Sequence, residues 1–212
     1  MTPYFETELG KLYNGDCLSI LPELEPELEP VDLVLTDPPY GIGAGKEKPH
    51  NGWCDYGISE WDSERPGKQY FDLIMRVSNN QIIWGGNYFT DYLPPTMQWF
   101  VWDKGQRDFS LADCEFAWSS QQKASRIFNY SRGAALQDGK KVPTQKPVAL
   151  MIWCLNKNSK ARIILDPFIG SGTTAIACER LNRRWIGIEI SEEYCEIAAK
   201  RIENETRQLK LF

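Results

Sequence analysis

The fold follows from the stretch Ile163-Ile164-Leu165-Asp166-Pro167-Phe168-Ile169-Gly170-Ser171-Gly172-Thr173-Thr174, which has the pattern of a strand, a glycine-rich turn and the start of a helix. Glycines in such a turn let a ligand approach the backbone closely, and the N-terminus of the helix offers unpaired N–H groups. The next apolar run ends at Glu189, and an acid about 20 residues beyond the glycines is the expected partner of ribose hydroxyls. The stretch therefore predicts a nucleotide site on a Rossmann-like sheet. A tight turn that binds no ligand is the alternative.

The ligand of this turn is expected to contain a ribose but no phosphate. Ala175 stands where the dinucleotide-binding pattern has its third glycine, and the Gly-Lys-Ser/Thr of a phosphate loop does not follow. Asp166 at the end of the strand would repel a phosphate, whereas a positively charged ligand would be stabilised there. S-adenosylmethionine, a sulfonium compound with a ribose, meets both demands.

A second motif, Thr36-Asp37-Pro38-Pro39-Tyr40-Gly41, follows the apolar run Val31-Asp32-Leu33-Val34-Leu35. Each proline fixes its own φ and lacks an N–H, and the residue before a proline is pushed to extended geometry. The resulting stiff corner presents a carboxylate, a backbone carbonyl and an aromatic ring. These groups suit a flat heterocycle with an amino group, because two acceptors can take the two amino hydrogens while the heterocycle stacks on Tyr40. The alternative is a strand-ending turn with a surface tyrosine.

Alternating strands and helices along the chain predict an α/β fold with a doubly wound, mainly parallel sheet, in a single domain over residues 1–212. Strands are predicted at residues 11–13, 31–36, 81–84, 99–102, 115–118, 162–165 and 184–188, and helices at residues 17–24, 68–78, 145–156, 171–181 and 191–206. Residues 41–67 read as a long polar loop that closes over the substrate. Ligands of such sheets bind beyond the carboxyl ends of the strands, so Asp37 and Asp166 are expected to face one crevice.

Together, the two motifs resemble those of the amino-methylating DNA methyltransferases of the N6-adenine or N4-cytosine type. The order, with the Asp-Pro-Pro-Tyr motif first, resembles the permuted β group of that family. Residues 12–17, 83–89 and 143–150 also resemble family segments, and residues 83–89 are similar to small phage-borne members. One departure is Val142, where the family often has histidine. The resemblance covers residues 10–200 and implies a Rossmann-like, S-adenosylmethionine-dependent methyltransferase fold.

The resemblance also implies a set of cofactor-binding residues. Asp16 would bind the adenine amine of S-adenosylmethionine, Glu189 the ribose, and Thr144 with Lys146 the methionine carboxylate. The full set is Asp16, Cys17, Asp37, Thr144, Lys146, Asp166, Phe168, Gly170, Ser171, Gly172, Thr173 and Glu189.

The catalytic residues are predicted to be Asp37, Pro38, Pro39 and Tyr40. Asp37 and the Pro38 carbonyl would accept the two hydrogens of the target amine and aim its lone pair at the methyl group, so that positioning and electrostatics supply most of the rate. The target base must leave the duplex, and Tyr40 is its predicted stacking face. No metal is expected, since the sulfonium methyl is already electrophilic and the chain has one histidine and six cysteines without a C-x-x-C pair.

Basic residues are concentrated in one window of an otherwise acidic chain. The formal net charge is −5, yet residues 120–146 contain six basic residues and one acid, as expected of a local phosphate contact. A solvated loop is the alternative. The predicted nucleic-acid-binding residues are Lys104, Arg107, Lys123, Arg126, Arg132, Lys140 and Lys141, and the target-recognition insert is placed at about 119–143. Because this insert is short, recognition is expected to be lax or to involve a second copy in a homodimer.

The expected partner is double-stranded DNA, and the function is site-specific methylation in a restriction-modification setting. Asp37 at the first motif position favours adenine N6, by resemblance, over cytosine N4. Three competing functions are methylation of RNA or of protein glutamine, nicotinamide-dependent oxidoreduction and non-catalytic binding of nucleic acid. With no spanning apolar run, no signal peptide and unpaired cysteines, the chain is predicted to be cytoplasmic, in a prokaryotic or phage-infected cell, with no membrane partner.

Overall fold

The computed structural model describes residues 1–25, 29–43, 62, 64–107, 112–137 and 145–209 of the chain. Within these ranges the strands are β1 (Phe5–Glu6), β2 (Gly10–Asn14), β3 (Leu33–Thr36), β4 (Gln81–Trp84), β5 (Trp99–Asp103), β6 (Cys114–Ser119), β7 (Arg126–Asn129), β8 (Ile163–Asp166) and β9 (Arg184–Glu189). The helices are α1 (Cys17–Leu24), α2 (Lys68–Val77), α3 (Arg132–Gln137), α4 (Val148–Lys157), α5 (Thr173–Arg180) and α6 (Glu192–Leu209), with a 3₁₀ turn at Gly86–Tyr88.

The strands form one mixed sheet in the order β1-β2-β9-β8-β3-β4-β6-β5-β7. Its centre is parallel, from β2 through β9, β8 and β3 to β4, whereas β1 and β6 run antiparallel to their neighbours. All four residues of β3, β4 and β8 are buried, as expected of parallel strands covered on both faces. The predicted doubly wound, mainly parallel α/β fold is thus the fold observed.

Side chains alternate between the two faces of the sheet along each strand, so an apolar layer forms on each face. Leu33 and Leu35 pack on one face of β3 with apolar residues of α4, α5 and α6, and Val34 packs on the other with residues of α1 and α2. This arrangement brings the carboxyl ends of β3, β8 and β9 to the same edge of the sheet, and Asp37, Asp166 and Glu189 lie at that edge.

Most elements lie where the sequence predicts them, and the differences have local causes. The helix predicted from Gln145 begins at Val148, because Pro147 is extended and caps the helix. The short elements β1, β7 and α3 were missed. β7 pairs in parallel with β5, so part of the predicted recognition insert belongs to the sheet. Most of the predicted loop 41–67 lies outside the described residues. In the described part of the chain, no helix is both long and apolar enough to cross a membrane.

Candidate active site

A cavity of about 480 Å³ opens at the carboxyl edge of the sheet, within the size range of small-molecule sites. It brings together most of the residues predicted to bind the cofactor or the target base. These are Asp37, Pro39, Lys146, Asp166, Phe168, Gly170, Ser171, Thr173 and Glu189. Asp37 and Asp166 therefore face one crevice, as the sequence predicts.

The glycine-rich turn adopts a backbone that requires glycine at two positions. Gly170 has φ 53° and Gly172 has φ 83°, both in the left-handed region that other residues rarely adopt. Gly172 caps α5, and a β-carbon there would lie 3.1 Å from the Cβ of Ala198 in α6. Arg201 of α6 donates to the Ser171 carbonyl and, at 2.7 Å, to the Ser171 hydroxyl. Sequence reasoning missed Arg201, which fixes the turn from behind.

Glu189 ends β9 and ties the glycine-rich turn to it. Its Oε2 accepts a hydrogen bond from the Gly170 N–H at 2.9 Å, and its Oε1 accepts one from the Ser191 N–H at 2.9 Å. Burial raises the pKa of Glu189, and the backbone N–H donors oppose that shift. The carboxylate lines the cavity, and each oxygen retains a lone pair for a further donor such as a hydroxyl.

Asp166 ends β8 and is held by three hydrogen-bond donors. Its Oδ1 accepts from the Thr36 hydroxyl at 2.7 Å and from the Phe168 N–H at 3.1 Å, and its Oδ2 accepts from the Thr174 hydroxyl at 2.6 Å. Burial raises the pKa of Asp166 to about 7, although these donors lower it. Asp166 thus joins β3, the turn and α5 while forming part of the cavity wall.

The corner after β3 is held by two donors to Asp37. Lys146 Nζ donates to Asp37 Oδ2 at 2.7 Å, and the Tyr40 hydroxyl donates to Asp37 Oδ1 at 2.5 Å. Lys146 Nζ also donates to the Tyr40 hydroxyl oxygen at 3.0 Å. Burial raises the pKa of Asp37, and the positive charge of Lys146 opposes this. The carboxylate predicted to accept the target amine is therefore already oriented.

Behind this corner lies an ion-pair network that the motifs did not indicate. Lys146 Nζ lies 3.1 Å from Glu115 Oε2, and Lys104 Nζ lies 2.7 Å from Glu115 Oε1. Burial opposes ionisation of Glu115, but Lys146 and Lys104 lower its pKa to about 2. The one sequence signal for this role is an acid in the mostly apolar strand 114–119.

The aromatic face of Tyr40 is in contact with other residues. Its ring stacks on Tyr88, with ring centroids 4.8 Å apart and an interplanar angle of 16°. Gly85 has φ 68°, and a β-carbon there would lie 1.9 Å from a Tyr40 ring carbon. The motif at residues 83–89 therefore builds the surroundings of Tyr40.

Asp16 and Cys17 lie at the start of α1, next to the cavity but outside its wall. Asp16 Oδ1 accepts from the Leu18 N–H at 2.9 Å as a helix cap, and Oδ2 accepts from the Tyr70 hydroxyl at 3.1 Å. Tyr70 and Phe168 both line the cavity, with ring centroids 5.8 Å apart. Burial raises the pKa of Cys17 to about 12, so its thiol stays protonated. Tyr70, like Arg201 and Glu115, is a residue that sequence reasoning missed.

The predicted nucleic-acid-binding residues are dispersed. Lys104 is paired with Glu115, and Arg107 makes a bidentate pair with Asp103 at 2.9 and 2.7 Å. Lys123 lies at the opposite, amino edge of the sheet, beside a second cavity of about 360 Å³.

The remaining predicted residues divide between the described and undescribed parts of the chain. Arg126 is an exposed residue at the start of β7, and Arg132 begins α3. Lys140, Lys141 and Thr144 lie outside the described residues. Within the described ranges no cluster of three or more acids, cysteines or histidines could hold a metal ion.

Comparison with known proteins identifies the family of the chain. A family model of N6/N4 DNA methylases matches residues 91–200, more than half of the chain. The chain belongs to this DNA methylase family. The predicted resemblance to amino-methylating DNA methyltransferases is thereby confirmed.

Two curated relatives of this methylase are full-length matches from bacteria. The chain is 28% identical to the type II methyltransferase M2.DpnII of Streptococcus pneumoniae, over 96% of this chain and 93% of the relative. It is 26% identical to the type II methyltransferase M2.LlaDCHI of Lactococcus lactis subsp. cremoris, over 94% and 91%. These relatives agree with the predicted DNA-modifying function.

Solved structures share the fold of this methylase. The M1.HpyAVI–SAM complex superposes with a TM-score of 0.61 at 22% identity, over 92% of this chain and 99% of that one. The PvuII DNA methyltransferase (cytosine-N4-specific) gives a TM-score of 0.58 at 18% identity, over 97% and 94%. The predicted Rossmann-like methyltransferase fold is confirmed.

Proposed function

We propose that this DNA methylase transfers the methyl group of S-adenosylmethionine to the N6 amine of an adenine flipped out of double-stranded DNA. The observation that carries the proposal is that Asp37 and Glu189 line one cavity. An acceptor for an amine and an acceptor for ribose hydroxyls are thus brought to the same space, as methyl transfer between a base and a nucleoside requires.

The residues of the cavity fit the proposed cofactor. Glu189 offers lone pairs to ribose hydroxyls, and Tyr70 and Phe168 offer apolar ring surface to the adenine, with Asp16 behind Tyr70. The N-terminal end of α5 carries partial positive charge that suits the methionine carboxylate. When bound, S-adenosylmethionine supplies an electrophilic methyl group.

The corner residues then act on the target amine. Asp37 accepts one amine hydrogen and the Pro38 carbonyl accepts the other, which favours a tetrahedral nitrogen with its lone pair directed into the cavity. The amine sheds a proton once it is methylated, and Asp37 is the adjacent base. The flipped base stacks against Tyr40 once Tyr88 moves off its ring, and this contact replaces the stacking lost on leaving the duplex. An acid at position 37, where cytosine-N4 enzymes commonly have serine, supports adenine.

The substrate assignment is tested by incubating the protein with methyl-labelled S-adenosylmethionine and unmethylated double-stranded DNA, RNA or protein, followed by nucleoside analysis. We expect label in N6-methyladenine of DNA. Label in N4-methylcytosine alone would overturn the adenine assignment. Cofactor binding without label in DNA would overturn the function.

Asp37→Asn keeps the shape of the side chain and removes its charge. We expect this variant to bind S-adenosylmethionine but to lose transfer by about 10²–10³-fold, as when one preorganised electrostatic group is removed. Asp72→Asn, which changes an exposed acid of α2 paired with Lys68, is the matched control and should retain activity.

A second copy of the chain would complete target recognition. β7 is an edge strand of the sheet within the described residues, and Ile127 on it is 63% exposed. Sedimentation of the protein with and without DNA tests this part of the proposal. A monomer in both conditions would contradict it.

A further inference from the structure

Lys146 is buried at the junction of two carboxylates. Only 5% of its side chain is exposed, and its Nζ donates hydrogen bonds to Asp37 Oδ2 at 2.7 Å and to the Tyr40 hydroxyl at 3.0 Å. The same Nζ lies 3.1 Å from Glu115 Oε2, within ion-pair distance. The geometry directs Lys146 at the catalytic corner rather than at a cofactor carboxylate.

The network around Lys146 balances its charges. Glu115 contacts both Lys146 and Lys104, and with Asp37 this gives two carboxylates and two ammonium groups in one connected set. Removing one member of a buried ion pair leaves an uncompensated charge, which is strongly unfavourable. Lys104 also pairs with Glu115 and offsets part of its negative charge. Part of the positive charge of Lys146 is therefore left for Asp37.

We propose that Lys146 is a positioning residue that keeps the Asp37 carboxylate charged and aimed at the target amine, and that Glu115 holds Lys146 there. This inference rests on the proposed function, since it concerns the group that accepts the amine. Lys146 acts through Asp37 and does not itself need to touch the base.

The titration of Asp37 gives the inference a measurable signature. The ionisable groups that influence it are Tyr40, Lys146, Glu115 and, across the crevice, Asp166. Burial raises the pKa of Asp37, Lys146 and Tyr40 lower it, and Glu115 raises it. A carboxyl group accepts the amine hydrogen well only when ionised, so the acid limb of the kcat–pH profile follows this pKa.

Two substitutions shift that limb in opposite directions. Lys146→Met removes the cation, so the Asp37 pKa rises and the acid limb moves to higher pH. A nearby opposite charge is worth about 1–3 pKa units, so a shift of at least about one unit is expected. Glu115→Gln removes a negative charge but keeps an oxygen acceptor that can hold Lys146 in place. The charge of Lys146 then acts on Asp37 alone, so the limb moves to lower pH.

The experiment measures kcat against pH, KM for DNA and the dissociation constant of S-adenosylmethionine for the wild type and four variants. For Lys146→Met we expect kcat near pH 7 to fall by about 10²-fold or more, as when one preorganised charged group is lost. Its cofactor affinity should stay within about threefold of the wild type, since the inference removes no cofactor contact. Lys146→Arg keeps the charge and should restore most of the acid limb.

Glu205→Gln is the matched control, because Glu205 is a mostly buried acid that pairs with Arg180 between α5 and α6. It should leave the pH profile unchanged. If Lys146→Met fails to fold, as judged by circular dichroism, Glu115→Gln carries the test alone. A Lys146→Met enzyme with weakened cofactor binding and an unmoved acid limb would overturn the inference and leave the proposed function intact. An inactive wild type would instead count against the proposed function.

Discussion

Replacing Gly85 by alanine should displace the Tyr40 ring and destabilise the catalytic corner. Gly85 has φ 68°, and the added β-carbon would lie 1.9 Å from a Tyr40 ring carbon, a distance that real contacts do not reach. A left-handed backbone costs a non-glycine residue about 1–2 kcal/mol. Moving the ring also weakens its stacking on Tyr88, worth about 0.5–1.5 kcal/mol, and its hydrogen bond to the Asp37 carboxylate, worth about 1.5–3 kcal/mol.

The free energy of unfolding should therefore fall by about 3–6.5 kcal/mol in Gly85→Ala if the ring loses both contacts. Gly170→Ala is a matched control for the backbone term, because Gly170 has φ 53° but a β-carbon there meets nothing within 4 Å. That control should lose only about 1–2 kcal/mol. Urea unfolding of both variants measures the difference, which isolates the Tyr40 contact. Equal losses in the two variants would refute the claim that Gly85 makes room for Tyr40.

Three further predictions concern pH, base entry and DNA contact. Burial raises the pKa of Asp166 to about 7 in the folded protein, so the stability that this group contributes is full below its unfolded pKa of about 4 and is lost as the pH rises through 7. Relative to Asp166→Asn, the unfolding free energy of the wild type should fall by at most about 4 kcal/mol between pH 4 and pH 8, as measured by urea titration. Parallel curves for the two proteins would contradict this. Tyr88→Ala uncovers the Tyr40 ring and should increase base flipping by about 2- to 10-fold, as measured by 2-aminopurine fluorescence. Tyr88→Phe is the control and should leave base flipping unchanged. Reduced flipping in Tyr88→Ala would instead make Tyr88 part of the base pocket. Arg132→Ala should reduce the slope of log DNA affinity against log salt concentration by about 0.9. Lys123→Ala is the control, because Lys123 lies at the amino edge of the sheet, and it should leave the slope unchanged. The reverse result would place the DNA at the amino edge of the sheet.

The fold was predictable because its signals are local. The buried apolar runs of β3, β4 and β8 predict the strands. The two proline- and glycine-rich corners predict the edge of the sheet at which the site lies. The missed strand β7 is mostly exposed and has no apolar alternation; only its parallel pairing with β5 defines it. Its existence depends on tertiary contact, which a single sequence does not display.

The candidate site could be predicted only in part. Residues within a motif, such as Asp37 and Glu189, were identified by their place at strand ends. Glu115 and Tyr70 were missed because their roles depend on residues 31 and 54 positions away in the chain, Lys146 and Asp16. Such pairings follow from which strands and helices become neighbours, and no spacing rule encodes them.

The two acids that flank the crevice, Asp37 and Asp166, are distinguished by the chemistry of their partners. Asp166 is enclosed by two hydroxyls and one N–H, neutral donors that leave its pKa at about 7 and hold the glycine-rich turn. Asp37 is paired with an ammonium group that is itself balanced by Glu115. Because a cation favours an ionised carboxylate more than neutral donors do, the strongest charged acceptor belongs beside the target amine. Exchanging the hydrogen-bond partners of Asp37 and Asp166, rather than the two acids themselves, is therefore the change that would misdirect methyl transfer.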